Sequence, residues 1–134
     1  MILADVMYQL ANALEGIPGL QVDPHPVGKV VVPQAIVSYP TDIVFDETYS
    51  RGMDRMELNV ILVVGKTIDI ATRTAISAYC DGSGDQSIKA ALEDGTYTAF
   101  DAVRVVRVDF DSVTYAGVEY LAALFTLDIA GQGA

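Results

Sequence analysis

Asp54-Arg-Met-Glu-Leu-Asn-Val-Ile-Leu-Val-Val-Gly65 is the stretch that decides the fold. Side chains alternate between faces along a strand, so Met56, Leu58, Val60, Leu62 and Val64 share one side. The opposite side begins polar with Arg55, Glu57 and Asn59, then turns apolar at Ile61 and Val63. Such a strand is covered along one face and, at its far end, on both. A helix or a neighbouring subunit could supply the second cover. Ser50-Arg-Gly-Met53 just before it has the composition of a turn.

Further strands are predicted on either side. Ile43–Tyr49 precedes the turn, and Ala35–Tyr39 precedes that, with Pro33 separating it from Val30–Val32. A proline there implies an edge or a bend, because it has no N–H to give a ladder. Leu20–Val22 is a short candidate strand. Towards the C-terminus, Ala102–Thr114 and Val118–Ile129 flank Tyr115-Ala-Gly117 as a long hairpin, with Gly117 placed for a positive φ. Three helices complete the pattern. Ile2, Leu3, Val6, Met7, Leu10, Leu14 and Ile17 recur at spacings of three and four. Thr67–Cys80 turns Ile68, Ala71, Ala75, Ile76 and Tyr79 inward and carries Asp69 in its first turn. Ser87–Glu93 is a short helix that Ser87 or Asp85 could cap. The order predicts one α+β domain over residues 1–134: a largely antiparallel mixed sheet with two or three helices on one face.

Composition narrows function. The 134 residues carry a net charge of −10, and 51% are hydrophobic. Only 19% are charged, below the ~25% of an ordinary soluble domain. That leaves apolar surface to bury against other chains. The acidic balance argues against phosphate-driven nucleic-acid binding and against anionic membranes. Apolar runs such as Val60–Val64 are far short of a membrane span, and the N-terminus lacks the basic region of a signal peptide.

No catalytic, cofactor or metal motif stands out. His25, the only histidine, lies between Pro24 and Pro26 with no nucleophile motif beside it. A small enzyme or ligand-binding module would have to use it with nearby acids. Cys80 is the single cysteine, so neither a disulfide within the chain nor a multi-cysteine zinc site can form. Asp81-Gly-Ser-Gly-Asp85-Gln-Ser87 alternates oxygen ligands like a calcium loop. It has Gln86 where the sharp-turn glycine belongs and Leu92 where the bidentate glutamate belongs. A glycine-rich turn capping the next helix fits it better. Carboxylates gather at Asp42, Asp46 and Glu47, and again at Asp109 and Asp111, as a solvated face would. Arg51, Asp54 and Arg55 concentrate charge at one turn. They read either as a local ion pair of small energy or as a docking element whose arginine forks meet carboxylates on another subunit.

Several stretches together carry a resemblance. They are Thr48-Tyr-Ser-Arg-Gly-Met-Asp-Arg-Met-Glu-Leu58; Tyr79-Cys-Asp-Gly-Ser-Gly84 with Ser87-Ile-Lys-Ala-Ala-Leu-Glu93; Gly95-Thr-Tyr-Thr-Ala-Phe-Asp101; and Gly117-Val-Glu-Tyr-Leu-Ala-Ala123 with Asp128-Ile-Ala-Gly131. The chain thereby resembles the tail terminator, or tail completion, proteins of long-tailed bacteriophages. Other small neck proteins, head–tail stoppers and adaptors, are the nearest alternative.

The resemblance implies a structural virion protein at the tail end or neck, assembled in the host cytoplasm. It implies a subunit of a closed, typically hexameric ring that ends polymerisation of the tube protein and offers a surface to the head connector or stopper. No enzyme activity or cofactor comes with it, and DNA passes through without specific binding. Each subunit of such a ring buries two different patches. Six copies would carry roughly −60 in charge, which must face solvent or a lumen. Asp46, Glu47, Asp109 and Asp111 are the candidate lumen acids, and Arg51, Asp54 and Arg55 the candidate interface.

Overall fold

The computed structural model describes residues 2–17, 20–23, 33–38, 40–45, 53–66, 70–115 and 117–132. Their order is α1 (Leu3–Leu14), β1 (Gln21–Asp23), β2 (Gln34–Val37), β3 (Asp42–Val44), β4 (Met53–Lys66), α2 (Ile70–Tyr79), α3 (Ile88–Glu93), β5 (Ala102–Tyr115) and β6 (Val118–Gln132). The six strands form one sheet in the order β1-β2-β4-β6-β5, with β3 joining β4 beyond β2. Only the β1–β2 pair is parallel. This is the expected α+β architecture with a mixed, largely antiparallel sheet.

The strand read first is the centre of the molecule. Met56, Leu58, Val60, Leu62 and Val64 all enter the core. Ala123, Phe125, Leu127 and Ile129 of β6 join them from across the ladder, and Ala35 and Val37 come from β2. Val6, Met7, Leu10, Ala11 and Leu14 of α1, Ile76 and Tyr79 of α2, and Ile88 and Leu92 of α3 close the same face. Burying a side chain of this size contributes about 1.5–3 kcal/mol, so this shared layer dominates the stability. Gln9 ties α1 to the segment before β5: its Oε1 accepts from Thr98 and Ala99 N–H at 2.9 and 3.0 Å, and its Nε2 donates to Thr98 Oγ1 at 2.7 Å.

Local signals hold at the ends of elements. Ser87 is the cap of α3, with its Oγ accepting from Ala90 N–H at 3.1 Å and donating to the Asp81 carbonyl at 2.5 Å. Gly117 turns the hairpin at φ +79°, a conformation that side chains with a Cβ disfavour. Tyr97 stacks on Phe100 with ring centroids 4.4 Å apart and donates its hydroxyl to the Leu92 carbonyl. That burial pushes the phenol up to about 12.

The structure departs from expectation in places. Of the strand predicted over Ile43–Tyr49, Ile43 and Val44 belong to β3, Phe45 lies outside it, and residues 46–49 lie outside the described residues. The central strand begins at Met53 and runs to Lys66. On α2, Ile76 and Tyr79 face inward as expected, but Thr72 is buried where Ala71 was expected and Ala71 is exposed. The cause is Gly65, where a Cβ would lie 2.6 Å from Thr72 Oγ1. The missing side chain lets the helix approach β4 at a register bulge between Val63 and Gly65. Ile2, expected on the apolar stripe, stands at the N-cap position of α1 without a side-chain hydrogen bond and stays exposed. The predicted strand at Val30–Val32 and the start of the second helix at Thr67–Asp69 lie outside the described residues.

Candidate interaction surface

The other face of the sheet carries no helix from the core layer. Its register brings distant residues into one row. Asp42 of β3 is opposite Glu57 of β4, Glu57 is opposite Asp128 of β6, and Asp128 is opposite Arg104 of β5. Neighbouring strands lie about 4.8 Å apart, so three carboxylates and one guanidinium line up across four strands. Arg55, one row away, reaches diagonally to Asp128. Its Nε donates to Oδ1 and its Nη2 to Oδ2, both at 2.7 Å. This planar two-point pairing is the strong form of an ion pair. It holds the Asp128 carboxyl below its usual range, with Arg104 adding to the effect.

These residues line a cleft of about 370 Å³ together with Val44, Val106 and Thr126. The cleft has a polar shoulder, where Thr126 Oγ1 meets Asn59 Oδ1 and Asn59 Nδ2 meets Thr41 Oγ1, each at 3.4 Å. Further along β4 the same face becomes apolar. Ile36, Val63 and Ala122 are buried there, which matches the double cover read from Ile61 and Val63. Of the residues that line the cleft, Val44 and Val106 are large apolar side chains left exposed, as is Phe45, which follows Val44 in the chain.

The sequence-predicted residues are dispersed by the fold. Asp54 and Arg55 are successive residues on a strand and point to opposite faces. Asp54 is buried while Arg55 is exposed. The Arg55 fork is engaged by Asp128 of its own sheet. Asp109 and Asp111 are exposed on β5; Asp109 pairs with Arg107 at 3.2 Å, and Asp111 accepts from Ser112 N–H at 2.8 Å. Arg51, Asp46, Glu47 and His25 lie outside the described residues. Sequence reading missed Glu57, Asp128 and Arg104 as site residues, because only strand register unites them.

The β5 edge is the other open feature. No strand pairs with the far side of β5 among the described residues. At the bulge between Val105 and Arg107, Glu93 of α3 accepts from Val105 N–H at 3.0 Å. Lys89 donates to the same carboxylate at 2.5 Å, and together these contacts lower its pKa. Beyond the bulge, Phe110 is 59% exposed. Long open edges of this kind are ordinarily covered or used for pairing. Cys80 is half-buried, and burial raises its thiol to about 11. Among the described residues, no group of three or more His, Cys, Asp or Glu is arranged to hold a metal ion. None of their helices is long and apolar enough to cross a membrane.

No family model and no curated protein matches the sequence. Among solved structures, the chain is similar to a chain of the virion of a native gene transfer agent particle. The two superpose with a TM-score of 0.55 at 16% identity, covering 93% of this chain and 92% of the other. At that identity, the shared property is the fold.

Proposed function

We propose that this protein is a structural component of a phage-like virion, and within it a subunit of the ring that caps the tail tube, ends tube polymerisation and meets the head connector. The observation that carries the reading is the end-to-end fold likeness to a chain of a gene transfer agent virion. The sequence resemblance to tail terminators supports the finer role. So do the charged sheet face, the β5 edge that no strand pairs among the described residues, and the exposed Phe45, Val106 and Phe110. Such a protein acts by shape and contact with copies and neighbours, without turnover of a substrate.

The test is assembly of particles lacking this chain. Tail tubes of uncontrolled length that fail to join heads are the expected result. Tubes of normal length left unjoined assign the chain to a stopper or adaptor role instead, and normal joined particles overturn the reading. Within it, Arg51→Glu with Arg55→Glu is expected to block head–tail joining while the subunit still folds. Neutralising Asp46, Glu47, Asp109 and Asp111 tests the lumen assignment. An acidic lining keeps DNA from adhering, so DNA ejection is expected to slow; an unchanged rate removes these acids from the lumen.

A further inference from the structure

The row across the cleft ends in two borders of opposite charge. Asp42, Glu57, Asp128 and Arg104 follow one another from β3 to β5, and three strand spacings keep the ends about 14 Å apart. Among the described residues, no strand pairs with the outer side of β3 or of β5. The β3 border is acidic and apolar. Asp42 and Glu57 stand directly opposite each other, an arrangement that repels, and neither carboxylate has a hydrogen bond or ion pair with another described residue. Val44 and Phe45 beside them are exposed. The β5 border is basic and apolar on the same face. Arg104 and Arg107 are opposite Asp128 and Thr126, which line the cleft, and exposed Val106 sits at the bulge between the two arginines. Arg104 has Asp128 as its neighbour. Among the described residues, Arg107 pairs with Asp109 alone, two residues along its own strand, and both side chains are more than half exposed. A pair of that kind contributes little and leaves the cation open to a better partner.

We infer that β3 of one copy lies antiparallel beside β5 of the next, with Asp42 against Arg107 and Val44 against Val106. The occupant of each border is a second copy of this chain. The borders cannot meet within one molecule, because β4 and β6 stand between them. β3 is antiparallel to β4, β4 to β6 and β6 to β5, so β5 runs opposite to β3. A copy set beside the first in the same orientation therefore presents the two strands antiparallel without inversion. Direction and charge then agree. With Asp42 at Arg107, the antiparallel sense carries Val44 towards Val106, whereas the parallel sense would set it beside Asp109. Arg107 also relieves the repulsion between Asp42 and Glu57. Glu93 already takes the Val105 N–H, so recognition at that point rests on side chains. Contact between two different borders is head-to-tail, the kind that closes a ring when its rotation permits. Pairing β3 with β3 would instead bring the acids of two copies together.

This pairing rests on the ring reading but is tested separately. Native mass spectrometry and electron microscopy of the full chain over a concentration series compare wild type, Asp42→Arg, Arg107→Glu and the combination of the two. Wild type is expected to associate beyond two copies. Either reversal alone is expected to move association to at least tenfold higher concentration, and the combination to recover it. Asp42→Arg sets a cation opposite Glu57 in its own sheet, so its melting temperature is expected not to fall even as association weakens. Asp42→Asn and Arg107→Gln, which remove the charges and keep exposed polar side chains, serve if a reversal perturbs folding, and each is expected to raise the concentration needed. Association of either reversal equal to wild type, or failure of the combination to recover, overturns the pairing. So does association that stops at two copies, as β5 against β5 would give, or a wild-type chain that stays monomeric at millimolar concentration. The tube-length experiment decides the ring reading independently of these outcomes.

Discussion

Glu57 and Leu58 are adjacent in the chain and belong to two different surfaces. Leu58 is fully buried in a layer shared by three strands and three helices. Glu57 lies in a charged cleft that opens to solvent. The same alternation runs along β6, where Phe125 and Leu127 enter the core while Thr126 and Asp128 line the cleft. One face holds the subunit together; the cleft end of the other is free to be specialised, because substitutions there leave the packed layer alone. The two faces are therefore expected to separate stability from assembly.

The sharpest way to break this contrast is to truncate neighbours on opposite faces. Phe125→Ala removes a fully packed ring and is expected to cost about 3–5 kcal/mol. Thr126→Ala, one residue away, removes a single marginal hydrogen bond and is expected to cost about 1 kcal/mol. Urea unfolding of both variants checks the difference. Equal losses mean that the cleft face is as structural as the core.

Gly65→Ala probes the joint between the faces and α2. Its new methyl group would meet Thr72 Oγ1 at 2.6 Å. Thr72 is buried and β-branched, so it yields poorly. Overpacking of this sort costs about 1–3 kcal/mol, read as a lower melting temperature. Gly65→Ala combined with Thr72→Ala is expected to recover most of the loss. If it does not, the glycine is required by the bulge rather than by the helix.

The core face was legible because its signals are local. Alternation along β4, three-and-four spacing in α1, the turn glycine at 117 and the cap at Ser87 each act within a few residues. Ser87→Ala is accordingly expected to cost about 1 kcal/mol through lost α3 capping, measurable by thermal melting. The cleft was not legible. Asp42, Glu57, Asp128 and Arg104 come from four strands and meet only through ladder register, which a one-residue slip would undo. The first turn of the described α2 differs from expectation at one position, for another reason. Ala71 and Thr72 differ too little in hydrophobicity to choose between them, and the choice was made by Gly65 on a different element. Arg51, Asp54 and Arg55 look like one cluster in the chain, yet strand alternation sends Asp54 and Arg55 to opposite sides.

The smallest effect is a test of charge on the open face. Arg55 holds Asp128 below its ordinary pKa, so the folded state binds this proton less readily than the unfolded chain. Stability from the pair is therefore fully present above the ordinary carboxylate range, about pH 4, and is lost as pH falls through the lowered folded value. The pair is partly solvated, with side chains 48% and 28% exposed, which limits its contribution to about 1 kcal/mol or less. Asp128→Asn is expected to lose that amount at neutral pH and to converge on wild type below pH ~4, followed by urea midpoints across the range. Glu93 titrates in both proteins and cancels from the difference. A gap between the two proteins that stays constant down to acid pH would mean that Asp128 contributes by packing alone, and the open face would then be stabilised by the same means as the core.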